Sequence, residues 1–169
     1  MPPSAKYLDL PFDDAIAYFR AKIRVPSATW SQIWQGMHNR AFTVAGAMKE
    51  DLLADLQKAV DKAISEGTTL DEFREDFDEI VLRHGWQYKG KRAWRTAVIF
   101  NTNLSTAYSA GHWKQMTDPD VLSVRPYLRY VASSAKEPRE EHMAWYNVVL
   151  PADDPWWDTH NPPNGWGCK

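Results

Sequence analysis

Two histidines and the single cysteine, all near the C-terminus, are the side chains best suited to bind a metal ion. They are His142, His160 and Cys168. Zinc prefers nitrogen and sulfur donors in a tetrahedral arrangement, and a structural site normally uses four of them. Asp153, Asp158 or water would therefore have to supply the fourth ligand. Alternatively, His142 hydrogen-bonds to loop carbonyls and Cys168 lies near a frayed end. We expect no metal and no other cofactor, with zinc as the alternative.

The same region carries groups that could perform acid–base chemistry. Arg139, Glu141 and His142, with Asp153 and Asp154, could serve a metal-dependent hydrolase or nuclease. A surface helix turn explains the first three more simply. The sequence has no serine nucleophile elbow, no glycine-rich phosphate loop and no HExxH motif. The pattern therefore favours a protein that is not an enzyme.

Tryptophan and proline dominate the chain after Arg139. The prolines after position 150 fix φ and remove backbone donors, so we expect neither a helix nor a central strand from Leu150 onward. A disordered tail would be poor in aromatic residues. We predict a loop pinned onto the helical part by its tryptophans, with at least one of Trp156 and Trp157 mostly buried.

This stretch resembles the minor head protein F family of Mu-like phages, within the wider phage head-morphogenesis family. The similarity rests on Arg139 and His142 followed by LPADDPWWDTH and PPNGWGC. It extends over nearly the whole chain, through FDDAIAYFRAKI, WSQIWQGMHNRAFTVAGAM, EGTTLDEFREDF and NTNLSTAYSAGHWKQM. The residues that the resemblance marks as a binding or structural motif are Arg139, His142, Trp145, Trp156, Trp157, His160, Asn164, Trp166 and Cys168.

The sequence departs from the family pattern in two places. The family motif usually ends in Cys-Arg-Cys or Cys-Lys-Cys, whereas this sequence ends at Lys169 after one cysteine. A glycine common after the motif histidine is replaced around Tyr146 and Asn147. The first departure suggests a trimmed domain and weakens any two-cysteine metal site.

The resemblance implies a role in virion assembly. Members of the family act at the portal during head assembly, and some are packaged with the genome. The implied partners are the portal protein, other capsid or scaffold proteins and, indirectly, packaged DNA. The implied locations are the host cytoplasm during assembly and then the virion head. Relatives fused to toxins add a further alternative, in which the module delivers an appended effector.

Composition limits the other function classes. The chain has 169 residues, 44% of them hydrophobic, nine tryptophans and a formal charge of −2. This balance gives no general attraction to nucleic acid. The basic residues Lys89, Lys91, Arg92 and Arg95 are best explained as a solvated helix start. One cysteine fits a reducing compartment, and no segment is typical of a membrane span or a signal peptide, so we expect no membrane partner.

Helical periodicity covers most of the first 118 residues. Helices are predicted after Pro11 and again after Ser27, where Trp30, Ile33, Trp34 and Met37 form an apolar face. Two further helices, separated by Gly67 and a Thr69–Glu72 capping box and ended by Gly85, should pair as an antiparallel hairpin. The acidic residues of the second should face solvent.

The segment from Lys91 to Met116 is helical in period but unusually polar. Asn101, Thr102 and Asn103 are poor helix-interior residues, because their side chains compete for backbone hydrogen bonds. We interpret them as a buried polar seam that holds another helix, the C-terminal loop or a second subunit. At least one of the three should hydrogen-bond to a residue beyond Pro119.

After Pro119 the pattern changes to β-branched and aromatic residues. Val121 to Val131 should form sheet, with Asn147 to Leu150 as its partner strand and a short helix at Pro138 to Trp145 between them. The predicted fold is therefore α+β. About five helices occupy residues 1–118, and residues 119–169 form a small module, a β-hairpin with a Trp/Pro-rich loop, packed on them as one compact unit.

Overall fold

The computed structural model describes residues 12–32, 40–132, 134 and 136–163, except for the side chain of Trp30. Within these residues the elements follow one another as α1 (Asp13–Arg20), β1 (Ile23–Arg24), a 3-10 turn (Trp30–Gln32), β2 (Ala41–Phe42), α2 (Glu50–Glu66), α3 (Leu70–His84), α4 (Arg92–Met116), α5 (Pro119–Val124), β3 (Tyr127–Arg129), α6 (Glu140–Met143), β4 (Val149–Pro151) and α7 (Trp157–His160). The predicted α+β class with a mainly helical content is confirmed.

The hairpin of α2 and α3 forms as its capping residues predict. Gly67 ends α2 in the left-handed conformation, at φ 71°. Thr69 then begins α3 with both bonds of the predicted capping box to Glu72. Ion pairs show that the two helices are antiparallel, because Asp55 lies opposite Arg83 at 3.1 Å while Lys62, later in α2, lies opposite the earlier Asp76 at 3.2 Å.

The acidic face of α3 is largely exposed, as expected, but some of its carboxylates form ion pairs with neighbouring helices. Asp76 is half-buried in its ion pair with Lys62. Asp78 accepts two bonds from the guanidinium of Arg92, at 2.7 and 2.6 Å, which ties α3 to the first residue of α4. Such bidentate pairs fix orientation as well as adding attraction. Part of this face therefore positions α4.

The long helix α4 crosses α1 at very close range. Gly111 is buried, and a Cβ placed there would lie 2.7 Å from Cζ of Phe12 and 2.9 Å from the backbone nitrogen of Ala15. Lys114 adds an ion pair to Asp14 at 2.7 Å. Only glycine lets the two backbones approach this closely. The crossing brings α1 onto the same core as α2 and α3.

A short parallel pairing that the sequence did not indicate joins the segments on either side of residues 33–39. Ile23 pairs with Ala41, and Arg24 pairs with Phe42. Phe42 is fully buried and meets Phe19 edge to face at 5.8 Å. The sequence could not predict this pairing, because two residues per strand are too few to show the alternation typical of a strand. The predicted helix face of Trp30, Ile33, Trp34 and Met37 lies mostly outside the described residues.

The C-terminal sheet is smaller than predicted. Residues Pro119–Val124 form α5, a helix that starts with Pro119 and is capped by Asp118, whose carboxylate accepts from the backbone N–H of Asp120. The prediction of strand from Val121 was therefore wrong, because an aspartate cap with proline at the first helical position outweighed β-branched composition. The predicted pairing of β3 with β4 and the short helix between them are confirmed.

The expectation of no helix from Leu150 onward was also wrong. Leu150 lies within β4, and Trp157–His160 form one helical turn, α7. Pro151 is tolerated because β4 is an edge strand. Pro155 does not prevent α7, because it precedes the helix instead of interrupting it.

The main apolar core is built from residues before Asp118, including Phe19, Phe42, Phe73 and Phe77. Four α-helices and one 3-10 turn precede Asp118 in the described part of the chain, close to the five helices expected. Beyond α5, buried Tyr130, Ala152 and Trp157 lie outside that core cluster. The boundary at residue 118 stays a prediction. No helix in the described ranges combines the length and apolar character needed to cross a membrane.

Candidate functional site

The residues after α5 gather around one aromatic cluster. We define it as Tyr130, His142, Trp145, Tyr146, Trp156, Trp157 and His160. Tyr130 is 6% exposed and lies edge to face with Trp145 at 5.7 Å and with Trp156 at 6.0 Å. Trp145 and Trp156 are themselves perpendicular at 6.1 Å. These are the edge-to-face geometries that aromatic quadrupoles favour, so the cluster is a packed unit.

Two histidines complete the cluster. The ring of His142 stacks on Trp145 at 4.8 Å, and the ring of His160 stacks on Trp156 at 3.9 Å with an interplanar angle of 8°. Nδ1 of His160 lies 2.7 Å from the carbonyl oxygen of Trp156. The hydroxyl of Thr159 lies 2.8 Å from the same nitrogen, so Nδ1 is engaged within its own helical turn.

Strand and turn geometry places these side chains. The backbone N–H of Tyr130 donates to the carbonyl of Val148 at 2.9 Å, and the N–H of Asn147 donates to the carbonyl of Tyr130 at 2.8 Å. Asn147 adopts a positive φ of 66°, a conformation that asparagine tolerates better than most residues. This turn carries the chain from α6 into β4 and holds Trp145 and Tyr146 beside Tyr130. It also explains why the family glycine near this position can be absent.

Trp157 is the buried anchor of the loop after β4. It is 4% exposed, and its indole N–H donates to the carbonyl of Pro151 at 2.9 Å. Trp156 is half-buried, and its backbone N–H is held at 2.9 Å by the carboxylate of Asp154. The prediction that at least one of this pair is mostly buried is confirmed. The ring of Trp157 meets that of Trp156 edge to face at 4.9 Å, within the cluster. Its packing on the helical part stays a prediction.

The structure describes two of the three predicted metal ligands, His142 and His160. Among described residues no group of three or more His, Cys, Asp or Glu side chains could hold a metal ion. Both histidines touch Trp145, at 4.8 and 4.5 Å between ring centroids. Asn164, Trp166 and Cys168 lie outside the described residues, so the three-ligand hypothesis stays untested.

The hydrolase hypothesis gains no geometric support. Glu141 and Asp153 are exposed, and Asp154 accepts a bond from its own loop at Trp156. Arg139 begins α6, with His142 on the same short helix. Catalytic carboxylates usually need burial or a close charged partner to shift their pKa into the working range. Here the carboxylate of Asp154 shapes a turn instead.

The polar residues of α4 bond mainly to their own helix. Nδ2 of Asn103 donates to the carbonyl of Ile99 at 2.8 Å, and Asn101 is exposed. The carbonyl of Thr102 accepts from the hydroxyl of Thr106 at 2.6 Å. In the described parts of the chain none of the three predicted seam side chains bonds to a residue after Pro119. The expected seam was therefore wrong in its partner, because Asn103 bonds to the carbonyl four residues back in its own helix and Asn101 is exposed.

Two of the four basic residues around the start of α4, Arg92 and Arg95, have a structural role. The guanidinium of Arg95 donates to the carbonyls of Lys89, at 2.8 Å, and Ala45, at 2.9 Å, and lies over the rings of Trp86 and Tyr88. Arg92 pairs with Asp78. Arg95 therefore holds the loop after β2 against α4, and Arg92 joins α4 to α3. These two cations do not form a free phosphate-binding patch.

Tyr130 and Tyr146 are cluster members that sequence reasoning did not select. Their rings stack at 6.3 Å with an angle of 21°. Tyr130 was interpreted only as part of a strand, yet it is the most buried member contributed by the residues around β3. A usable signal was its place at the end of the predicted strand, where its inward alternation faces the tryptophan-rich loop.

Comparison with known proteins places this chain in a family. A family model described as Phage Mu protein F like protein matches residues 54–169. The match covers more than half of the chain, so the chain belongs to that family. No solved structure matches it.

Two relatives match most of the chain. The protein of Escherichia phage Mu named "Putative capsid assembly protein F" is 37% identical over 175 residues, covering 95% of this chain and 39% of the relative. The Mu-like prophage FluMu F protein of Haemophilus influenzae is 34% identical over 150 residues, covering 83% of this chain and 36% of the relative. This chain therefore spans less than two-fifths of the length of either relative.

Proposed function

We propose that this chain is a head-morphogenesis module that acts in phage capsid assembly and docks on the portal protein. The observation that carries the proposal is the similarity over 95% of the chain to a phage Mu protein named for capsid assembly. The partners are the portal and other capsid or scaffold proteins. Its place is the host cytoplasm during assembly and the virion head afterwards, where it is packaged with DNA.

The aromatic cluster suits such a role because it is rigid. Large aromatic side chains held in fixed orientation lose little conformational freedom when a partner binds, and such residues dominate interface energies. Beside the cluster, Met143 on α6 is 44% exposed and follows His142 directly. A flexible thioether at the rim of a rigid aromatic surface is well suited to contact another protein.

Co-elution with the portal protein from the same genome on size-exclusion chromatography tests this proposal. We expect the wild-type chain to co-elute with the portal protein and Met143→Glu to lose co-elution, because a charge there would be desolvated in the interface. Leu82→Glu is the matched control, since Leu82 is 85% exposed on α3 and far along the chain from the cluster. Circular dichroism should show that both variants are folded.

The proposal fails if the wild-type chain and the portal protein elute separately. Co-elution that Met143→Glu leaves intact would place the docking surface elsewhere, and equal loss in both variants would show that the effect is not specific to Met143. We advance no second function, because neither the hydrolase nor the toxin-delivery alternative is favoured by a specific observation in the described residues.

A further inference from the structure

The two edges of the C-terminal hairpin are treated differently by the fold. β3 and β4 form a two-stranded antiparallel sheet in which Tyr127 faces Pro151, Leu128 faces Leu150 and Arg129 faces Val149. Each strand of such a sheet has one outer edge. Exposed edges with unpaired backbone groups accept further strands, and folds usually blunt them.

Alternation of the hydrogen bonds shows which groups point outward. At one end of β3 the carbonyl of Pro126 accepts from Ala152, and at the other the N–H of Tyr130 donates to Val148. The backbone N–H and C=O groups of the even-numbered residues of β3 therefore point toward β4. The N–H and C=O groups of Tyr127 and Arg129 consequently point away from β4, along the outer edge.

The outer edge of β4 is blocked at one of its two outward residues. Its outward residues are Val149 and Pro151, and proline has no N–H to donate. The carbonyl of Pro151 is already occupied by the indole N–H of Trp157 at 2.9 Å. One side of the hairpin is thus protected by a proline and a tryptophan, while no described strand pairs with the outer edge of β3.

The side chains on the outer edge of β3 are exposed and could contact another strand. Tyr127 is 63% exposed, and Arg129 is exposed and forms no ion pair with another described residue. Because residues two apart share a face, Tyr127 and Arg129 project from the same side of the sheet. An aromatic ring and an unpaired guanidinium are a natural cation–π pair when they come from facing strands.

We propose that the outer edge of β3 pairs with the same edge of a second copy of this chain. An antiparallel two-fold pairing centred on Leu128 would place Tyr127 of each copy opposite Arg129 of the other, giving two hydrogen-bonded residue pairs and two Tyr–Arg contacts. The half-buried Leu128 side chains would meet on the opposite face. The result is a four-stranded sheet.

Charge selects this register. Shifting the pairing by two residues in one direction would set Arg129 directly against its own copy. Shifting it the other way would set Arg129 against Arg125. Like charges directly opposite one another destabilise a strand pair. The register centred on Leu128 is the one of the three that opposes no two arginines, so the edge is complementary to itself.

The test is the mass of the full chain in solution, measured by sedimentation equilibrium across micromolar to millimolar concentrations. We expect a reversible dimer, weak because the paired edge is short. Tyr127→Arg should weaken the dimer about tenfold or more, because it creates two Arg–Arg pairs. Adding Arg129→Tyr to that variant should restore the dimer, since the swap rebuilds both Tyr–Arg pairs.

Proline variants supply a matched control. Arg129→Pro and Val149→Pro each remove an outward N–H from directly facing positions, and neither breaks a bond within the hairpin. Only Arg129→Pro should abolish the dimer, with thermal unfolding showing that both remain folded. A wild-type chain that stays monomeric overturns the proposal, as does a dimer that Tyr127→Arg leaves intact. Portal co-elution is a separate measurement, so the two proposals can fail independently.

Discussion

Lys22 places a cation in aromatic surroundings. It is 7% exposed, and its ammonium lies 5.4 Å from the ring centroid of Tyr18 and 6.0 Å from that of Phe19. Burial lowers the pKa of Lys22 to about 8, from an ordinary value of 10.5. The rings favour the charged form, but their attraction is smaller than the cost of removing the ammonium from water.

This shift predicts a rise in stability at alkaline pH. Between about pH 8 and pH 10.5 the unfolded chain holds the Lys22 proton while the folded chain has lost it. The unfolded state therefore binds more protons, and the free energy of unfolding increases with pH across this window. Lys22→Met should remove that increase and raise the free energy of unfolding at neutral pH.

Urea denaturation of both proteins from about pH 7 to about pH 10 measures the effect. Lys58→Met, at an exposed position of α2, is the control and should keep the wild-type pH dependence. Parallel curves for wild type and Lys22→Met would show that Lys22 is hydrated in the folded protein.

At this scale the sequence indicated residue types better than residue roles. His142, Trp145, Trp156, Trp157 and His160 were selected because tryptophan and histidine are rare and were concentrated in one stretch, and all five do meet in the aromatic cluster. At least one of Asn101, Thr102 and Asn103 was expected to bond beyond Pro119, but Asn103 bonds to Ile99 within its own helix. Composition cannot distinguish a polar side chain that bonds within its own helix from one that bonds across an interface, because both suit the same residue types.

Among the elements, the crossing of α1 and α4 is the contact most sensitive to a single methyl group. Glycine costs a helix interior about 1 kcal/mol relative to alanine, so Gly111→Ala would stabilise an isolated α4. In the protein the added Cβ would meet the backbone of Ala15 at 2.9 Å, and backbone cannot move aside as a flexible side chain can. We expect Gly111→Ala to lower the free energy of unfolding by about 1–3 kcal/mol.

Chemical denaturation of Gly111→Ala beside Asn101→Ala checks this expectation. Asn101 is exposed on the same helix, so its replacement by alanine gains helix propensity without a clash. Asn101→Ala should be neutral or slightly stabilising. If both variants gain stability, the two helices are not in close contact at Gly111.

Elements with strong end signals were predictable, and the pairing of β1 with β2 was not. Gly67, Thr69 and Gly85 fixed the ends of α2 and α3, because each acts within a few residues of chain. The pairing of Ile23 with Ala41 depends on segments brought together by the core, and no local pattern marks it. The error at Pro119–Val124 arose where two local signals disagreed and the cap prevailed over composition.

For the whole molecule, the metal content of the purified chain is the informative measurement. We expect no stoichiometric zinc, because His142, His160 and Cys168 supply three donors where a structural site uses four. The comparison is a chain that carries the second cysteine of the family motif, which would supply the fourth donor. Elemental analysis by mass spectrometry distinguishes the two.

One result would contradict the expectation that the purified chain holds no zinc. Stoichiometric zinc in the 169-residue protein, lost in His142→Ala but kept in His112→Ala, would establish a site that includes His142. His112 is a fair control because it lies on α4 and touches Phe12 at 4.8 Å, away from the cluster. That outcome would also return the hydrolase hypothesis to consideration, since a bound zinc can activate water.

The length of α4 sets a fixed distance within the molecule. A helix of this length measures about 37 Å, and it is fastened near its start by Arg92 to Asp78 and near its end by Lys114 to Asp14. It therefore behaves as a strut that cannot shorten or bend freely. A protein bound around Trp94 and another bound to α5 would be separated by the length of α4. The chain could therefore act as a spacer that sets the distance between two bound proteins.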